Sequence, residues 1–124
     1  MKYLGVDYGE KRIGLARADE ELKIATPYKT ISADSKEEKI EKLASIIKRE
    51  DFSQIVVGLP LATDASENEA TKQVREFVDE LKQEVEAKFD FIDERFSSQE
   101  ADSMEGAASR DEKSAMVILD TFLG

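Results

Sequence analysis

Residues 54–59, QIVVGL, form an unbroken apolar run that Pro60 stops. A run that short, rich in β-branched residues and closed by proline, predicts a strand buried on both faces. Strands of that kind sit inside parallel sheets covered by helices on either side. The segments around the run should therefore alternate with helices, and they do. Before it, Ser35 and Glu38 have capping-box spacing, and Ile40, Leu43, Ile46 and Ile47 line one helical face. After a polar loop, LATDASEN, a long helix carries Ala70, Val74, Phe77, Val78, Leu81 and Val85 at helical spacing.

The N-terminal third follows another pattern. KYLGVD at 2–7 reads as a strand, Tyr8 to Lys11 as a turn and RIGLARAD at 12–19 as the returning strand of a hairpin. LKIATPYKTI at 22–31 is a poorer strand whose Pro27 points to a sheet edge or a bulge. KFDFI at 88–92 is a fifth strand that ends at Asp93-Glu94. Ser97 with Glu100, and Ser109 with Glu112, then open two short helices; Gly106 closes the first. The predicted order is βββαβαβαα: an α/β fold in residues 1–124, with a five-stranded mixed sheet and helices on its faces.

What the chain lacks narrows its chemistry. It has no histidine and no cysteine. A histidine base, a Ser-His-Asp triad, a thiolate zinc site and a disulfide framework are thereby excluded. No stretch of about 18 apolar residues could span a bilayer, and the N-terminus turns polar too early for a signal peptide, so a cytoplasmic location is expected. The formal charge of −10 opposes general binding to polyanions. A nucleic-acid partner would need a local basic patch or bound cations.

Three acidic positions could supply chemistry. Asp7 ends a buried strand, on the rim where open α/β sheets collect ligands, although Asp also caps hairpin turns. Asp93-Glu94 closes another strand parallel to the first. Side chains alternate along a strand, so only one of that pair can readily join Asp7, and the residues alone leave the choice open. Asp111 lies in the first turn of the last helix, where the helix dipole alone favours an acid. Carboxylates held together repel unless a cation neutralises them. Mg²⁺ or Mn²⁺ would do so through oxygen ligands, and metal-assisted hydrolysis of a phosphodiester needs no histidine. Lys11, Arg12 and Arg17 on the hairpin, with Arg95, Arg110 and Lys113 beside the other acids, could form the positive rim.

Four blocks in order also resemble one family. LGVDYGEKRIGLARAD, VVGLPL at 56–61, IDERFSS at 92–98 and RDEKSAMVILDTFL at 110–123 are similar to the motifs of the YqgF/RuvX family of Holliday-junction-resolvase-like nucleases. The resemblance implies an RNase-H-like fold and divalent-metal-dependent cleavage of nucleic acid. It implies processing of the 5′ end of pre-16S ribosomal RNA, or resolution of branched DNA, for which a homodimer would suit a two-fold junction. It also implies Asp7, Glu94 and Asp111 as catalytic metal ligands, with Arg12, Arg95 and Ser98 contacting substrate or supporting the site; Lys11 and Arg110 of the positive rim are expected to contact substrate as well. Two departures stand out: Ala65 where the family usually has glycine, which suggests a differently built turn, and Ser114 for a usual alanine. An ATP-binding module is a rival reading, since Asp-Tyr-Gly after a strand also resembles actin-like phosphate loops. Those folds enclose nucleotide with a second domain. A non-catalytic scaffold of the same fold is the other.

Overall fold

A computed structural model describes residues 1–94 and 109–124. In chain order it contains β1 (Lys2–Tyr8), β2 (Arg12–Asp19), β3 (Thr26–Ser32), α1 (Lys36–Glu50), β4 (Gln54–Leu59), α2 (Glu69–Lys82), β5 (Lys88–Asp93) and α3 (Arg110–Leu123). The expected helix opened by Ser97 lies outside the described residues. The sheet order is β3-β2-β1-β4-β5. β1 to β3 form an antiparallel meander, and β4 pairs parallel with both β1 and β5. β4 is buried along its whole length, as its unbroken apolar run requires.

The two faces of the sheet are built from different residues. Leu4, Val6, Ile13, Leu15, Ile55, Val57 and Leu59 project to one side, against Leu43, Ile46 and Ile47 of α1 and Val74, Phe77, Val78 and Leu81 of α2. On the other side α3 packs Ala115, Ile118 and Leu119 against Ala16, Ala18 and Val56. There the strands also carry Gly5, Gly14 and Gly58, and α3 lies almost on the backbone. A Cβ on Gly5 would come within 2.7 Å of the Ala115 carbonyl.

Local signals set the helix ends. Ser35 Oγ accepts from Glu38 N–H at 3.1 Å, while the Glu38 carboxylate turns to Asp34 N–H and to Lys42. Half of the expected box therefore forms. Asn68 and Thr71 make a full reciprocal box at the start of α2. Ser109 Oγ caps α3 through Glu112 N–H at 3.2 Å.

Three expectations shift. β3 begins at Thr26 rather than residue 22. Leu22 and Ile24, 69% and 63% exposed, stay in the preceding loop. β3 is an edge strand and its register slips opposite Leu15 and Ala16, which skips Tyr28 next to Pro27, so the proline marks both an edge and a bulge. α2 ends at Lys82, and Val85 is buried from the segment that follows. In α1 Ile40 packs partly buried against the core as expected, and Lys39, 5% exposed, joins it there; its ammonium lies 3.3 Å from Tyr8 Oη and over the Tyr8 ring. Ala65 takes a left-handed backbone, φ 69°, the conformation glycine adopts without steric cost, so the turn keeps a glycine-like geometry around an alanine.

Candidate active site

The alternation of strand residues decides which carboxylates can meet. On β1, Leu4 and Val6 face α1 and α2, so Asp7 faces α3 with Gly5. On β5, Phe89 and Phe91 pack against the α1–α2 side and Ile92 against the α3 side. Asp93 therefore points away from Asp7, and Glu94 points towards it. Glu94 is also tied to the end of β4, its N–H bonded to the Leu59 carbonyl at 3.2 Å.

Between β1 and β5 lies β4, which Glu94 must cross. Gly58 makes that possible: a Cβ there would stand 2.7 Å from Glu94 Oε2. The carboxyl leans across this bare backbone and hydrogen-bonds Asp7. On the other flank, Gly14 of β2 pairs in register with Asp7. The main chain of Asp111 rests on Gly14, where any Cβ would overlap the Asp111 carbonyl. Two glycines thus let two acidic segments close on Asp7 from opposite sides. Glycine inside a strand is the sequence signal for such an approach, and Gly14 and Gly58 both carry it.

The electrostatics follow. Burial pushes Asp7 up to about 6; Asp111 raises it further, while the bond to Glu94 and the charge of Arg110 oppose the rise. Burial pushes Glu94 up to about 9, reinforced by the charge of Asp7 and the bond to it. The pair holds one proton near neutral pH, a common outcome for two carboxyls in one dry site. Asp111 Oδ2 is held by Arg12 Nε at 3.1 Å. Among the described residues, no three acidic side chains are gathered closely enough to ring one ion. The arrangement is a touching pair with a third acid as neighbour.

The remaining expected residues fall into two groups. Lys11 lies exposed in the β1–β2 turn, Arg12 at the start of β2 and Arg110 at the start of α3, all at the rim that carries Asp7. Arg95 and Ser98 lie outside the described residues. Two polar contacts were not expected. Thr30 Oγ1 of β3 bonds Ser109 Oγ at 3.1 Å and Glu112 at 2.9 Å, and so fixes the α3 N-terminus beside Asp111. Lys39 braces Tyr8, the neighbour of Asp7, from the opposite face.

The sequence profile described as RuvX, Holliday junction resolvase, matches residues 1–124. The chain belongs to the RuvX family. A relative in Maridesulfovibrio salexigens, named "Putative pre-16S rRNA nuclease", is 36% identical; the match covers 99% of this chain and 98% of that protein. A relative of the same name in Fusobacterium nucleatum is 35% identical, with 98% and 96% covered. Among solved structures, Thermus thermophilus RuvC in complex with a Holliday junction superposes with a TM-score of 0.70 at 11% identity, covering 99% of this chain and 93% of RuvC. That likeness establishes the RNase-H-like fold of this RuvX chain. Among the described residues, no helix is long and apolar enough to cross a membrane.

The site's donor set suits a hard divalent cation. Its acids offer only oxygen, and the shared proton of Asp7 and Glu94 is what a cation would replace.

Proposed function

We propose that this RuvX chain is a cytoplasmic, divalent-metal-dependent endonuclease on structured nucleic acid, and that it trims the 5′ end of pre-16S ribosomal RNA. The observation that carries this reading is the bonded pair of Asp7 and Glu94, with both acids pushed well above the usual carboxylate range. Buried acids held in that state are a common mark of a working site. The names of the relatives that match over nearly their whole length support the RNA substrate.

Asp7 and Glu94 would hold Mg²⁺ or Mn²⁺, and Asp111, which Arg12 holds as their neighbour, would turn in to complete the ligand set. When bound, the metal supplies Lewis acidity towards the phosphodiester and eases deprotonation of a water, a task for which this chain has no histidine. To serve as a ligand Glu94 would give up to solvent the proton it shares with Asp7 and offer a carboxylate. Arg12 steers Asp111. With Lys11, Arg110 and the flanking Arg95 and Ser98, it orients the phosphate. Gly58 and Gly14 keep the acids within reach of one another.

The test is cleavage of a panel that holds pre-16S leader RNA, unrelated RNA hairpins and four-way DNA junctions, each with and without Mn²⁺. Metal-dependent cuts in the leader RNA are expected. Cuts in the junction alone would transfer the assignment to branched DNA. Asp7→Asn should lower kcat/KM by about 10³-fold or more with an unchanged circular-dichroism spectrum. Full activity in that variant would end the proposal.

A further inference from the structure

Helix α1 is a ridge between two grooves of opposite charge. Towards α2 lies a groove of about 530 Å³ whose charged lining, among the described residues, is Glu37, Glu41, Glu80 and Glu84 against Lys48 alone. Towards the β3 edge lies one of about 390 Å³ whose charged lining, among the described residues, is Lys29, Lys42 and Arg49 against Glu41 alone, with Thr30, Ile31 and Ser32 of β3 beside them. In a chain of net charge −10, a groove lined by three cations and one acid, with Glu38 and Glu50 paired to two of the cations at its edge, is a local relief of the negative field. A lone edge-guarding lysine is common on exposed strands, but these three come from two different elements and face one space.

The cations are also held in place. At the far end Tyr28 organises them: Lys29 Nζ lies 4.9 Å from its ring centroid, Arg17 packs on the same ring at 4.8 Å, and Arg49 shares a hydrogen bond with the tyrosine. At the near end Lys42 Nζ bonds the Ser32 carbonyl at 2.7 Å. Ser32 pairs in register with Arg12, which holds Asp111. The groove therefore starts at the rim that carries Asp7, on the α1 side of the sheet, and leads away from that rim. Lys42 and Arg49 are separated by about 10 Å of helix axis, roughly three nucleotide steps of a B-form strand. Both touch carboxylates of α1, Glu38 and Glu50, in exposed pairs that a phosphate can displace.

We infer that the groove between α1 and the β3 edge is a track for the sugar–phosphate backbone of substrate that flanks the cleaved bond. This rests on the nuclease reading for its direction, and its test separates the two. The backbone would be held by charge without base readout, which gives an acidic protein substrate affinity through one narrow strip.

The experiment measures binding by fluorescence anisotropy in the Asp7→Asn background, which does not cut. The probe is a stem-loop RNA with a long single-stranded flank, titrated between 50 and 200 mM salt. Replacing Lys29, Lys42 and Arg49 together by alanine should weaken binding about tenfold or more and flatten the salt slope by about 2. Lysine-to-arginine changes at 29 and 42 should keep the slope. A control triple of Lys72→Ala, Lys82→Ala and Lys88→Ala, on α2 and β5, should bind as the parent does. If the groove triple proves unstable, Arg49→Ala alone should still flatten the slope by about 0.7. Parental affinity and slope in the groove alanine variants, or equal losses in the control, would overturn the track. If wild-type protein fails to cut any probe while the groove triple still loses its slope, the track stands and the nuclease assignment falls.

Discussion

The sheet presents two faces that solve different problems. The α1–α2 face is filled with large side chains: Leu4, Ile13, Leu15, Leu43, Phe77 and Leu81 are fully buried. The α3 face is lined by Gly5, Gly14, Ala16, Ala18 and Gly58. Burying a leucine or phenylalanine yields about 2 to 3 kcal/mol, and a glycine yields almost nothing. The first face is therefore the main source of stability. The second gives up apolar area so that a helix and a strand end can approach the backbone closely enough to bring acids towards Asp7. Stability and chemistry are separated across one layer of backbone.

Deleting bulk on the first face should have the largest effect on stability and none on the chemistry of folded molecules. Leu81 is fully buried near the C-terminal end of α2, away from the rim that carries Asp7. Leu81→Ala should cost about 2 to 5 kcal/mol in chemical denaturation. Its kcat, corrected for the folded fraction, should match the parent. A large drop in corrected kcat would show that the faces are not independent.

Adding bulk on the second face should do the reverse. Gly14→Ala places a methyl against the Asp111 carbonyl. The first turn of α3 must then lift, for about 1 to 3 kcal/mol of overpacking. The activity loss should exceed tenfold, because Asp111 and its partner Arg12 move with that turn. Parental kcat in Gly14→Ala would show that close approach of α3 is a packing detail without a role in the site.

The first face was far more legible in the sequence than the second. Its strands and helices follow local periodicity, so QIVVGL, the α1 and α2 stripes and the Ser35 cap could each be read from a short window. What failed locally was set by distant partners. Leu22 and Ile24 are apolar enough for a strand, but no neighbour covers them. The choice between Asp93 and Glu94 depends on which side of β5 faces α3, and that is fixed by pairing with β4 and β1. Family resemblance pointed to Glu94 for a reason the residues alone did not show. Lys39 occupies a core-facing position only because Tyr8 supplies an oxygen and a ring for it.

The smallest expected effect is on stability and runs opposite to the usual direction of a mutation at a buried site. Asp7 and Glu94 both have raised pKa values in the folded chain, about 6 and about 9, against ordinary values of 3.8 and 4.5. For an acid raised on folding, the protonated form is the favoured one. Its contribution is complete below the unfolded value and is lost as pH climbs through the folded value. The apo protein should therefore lose stability from this pair between about pH 4 and pH 9. Asp7→Asn removes one buried charge, and its amide can donate to Glu94 in place of the shared proton. At pH 8 the variant should be more stable than the parent by about 1 kcal/mol or more, and at pH 4 the two should melt together. Mg²⁺ or Mn²⁺ should narrow the gap at pH 8 by stabilising only the parent. If Asp7→Asn melts below the parent at pH 8, the carboxyl pair is a source of stability, and the division between the two faces fails at its central residue.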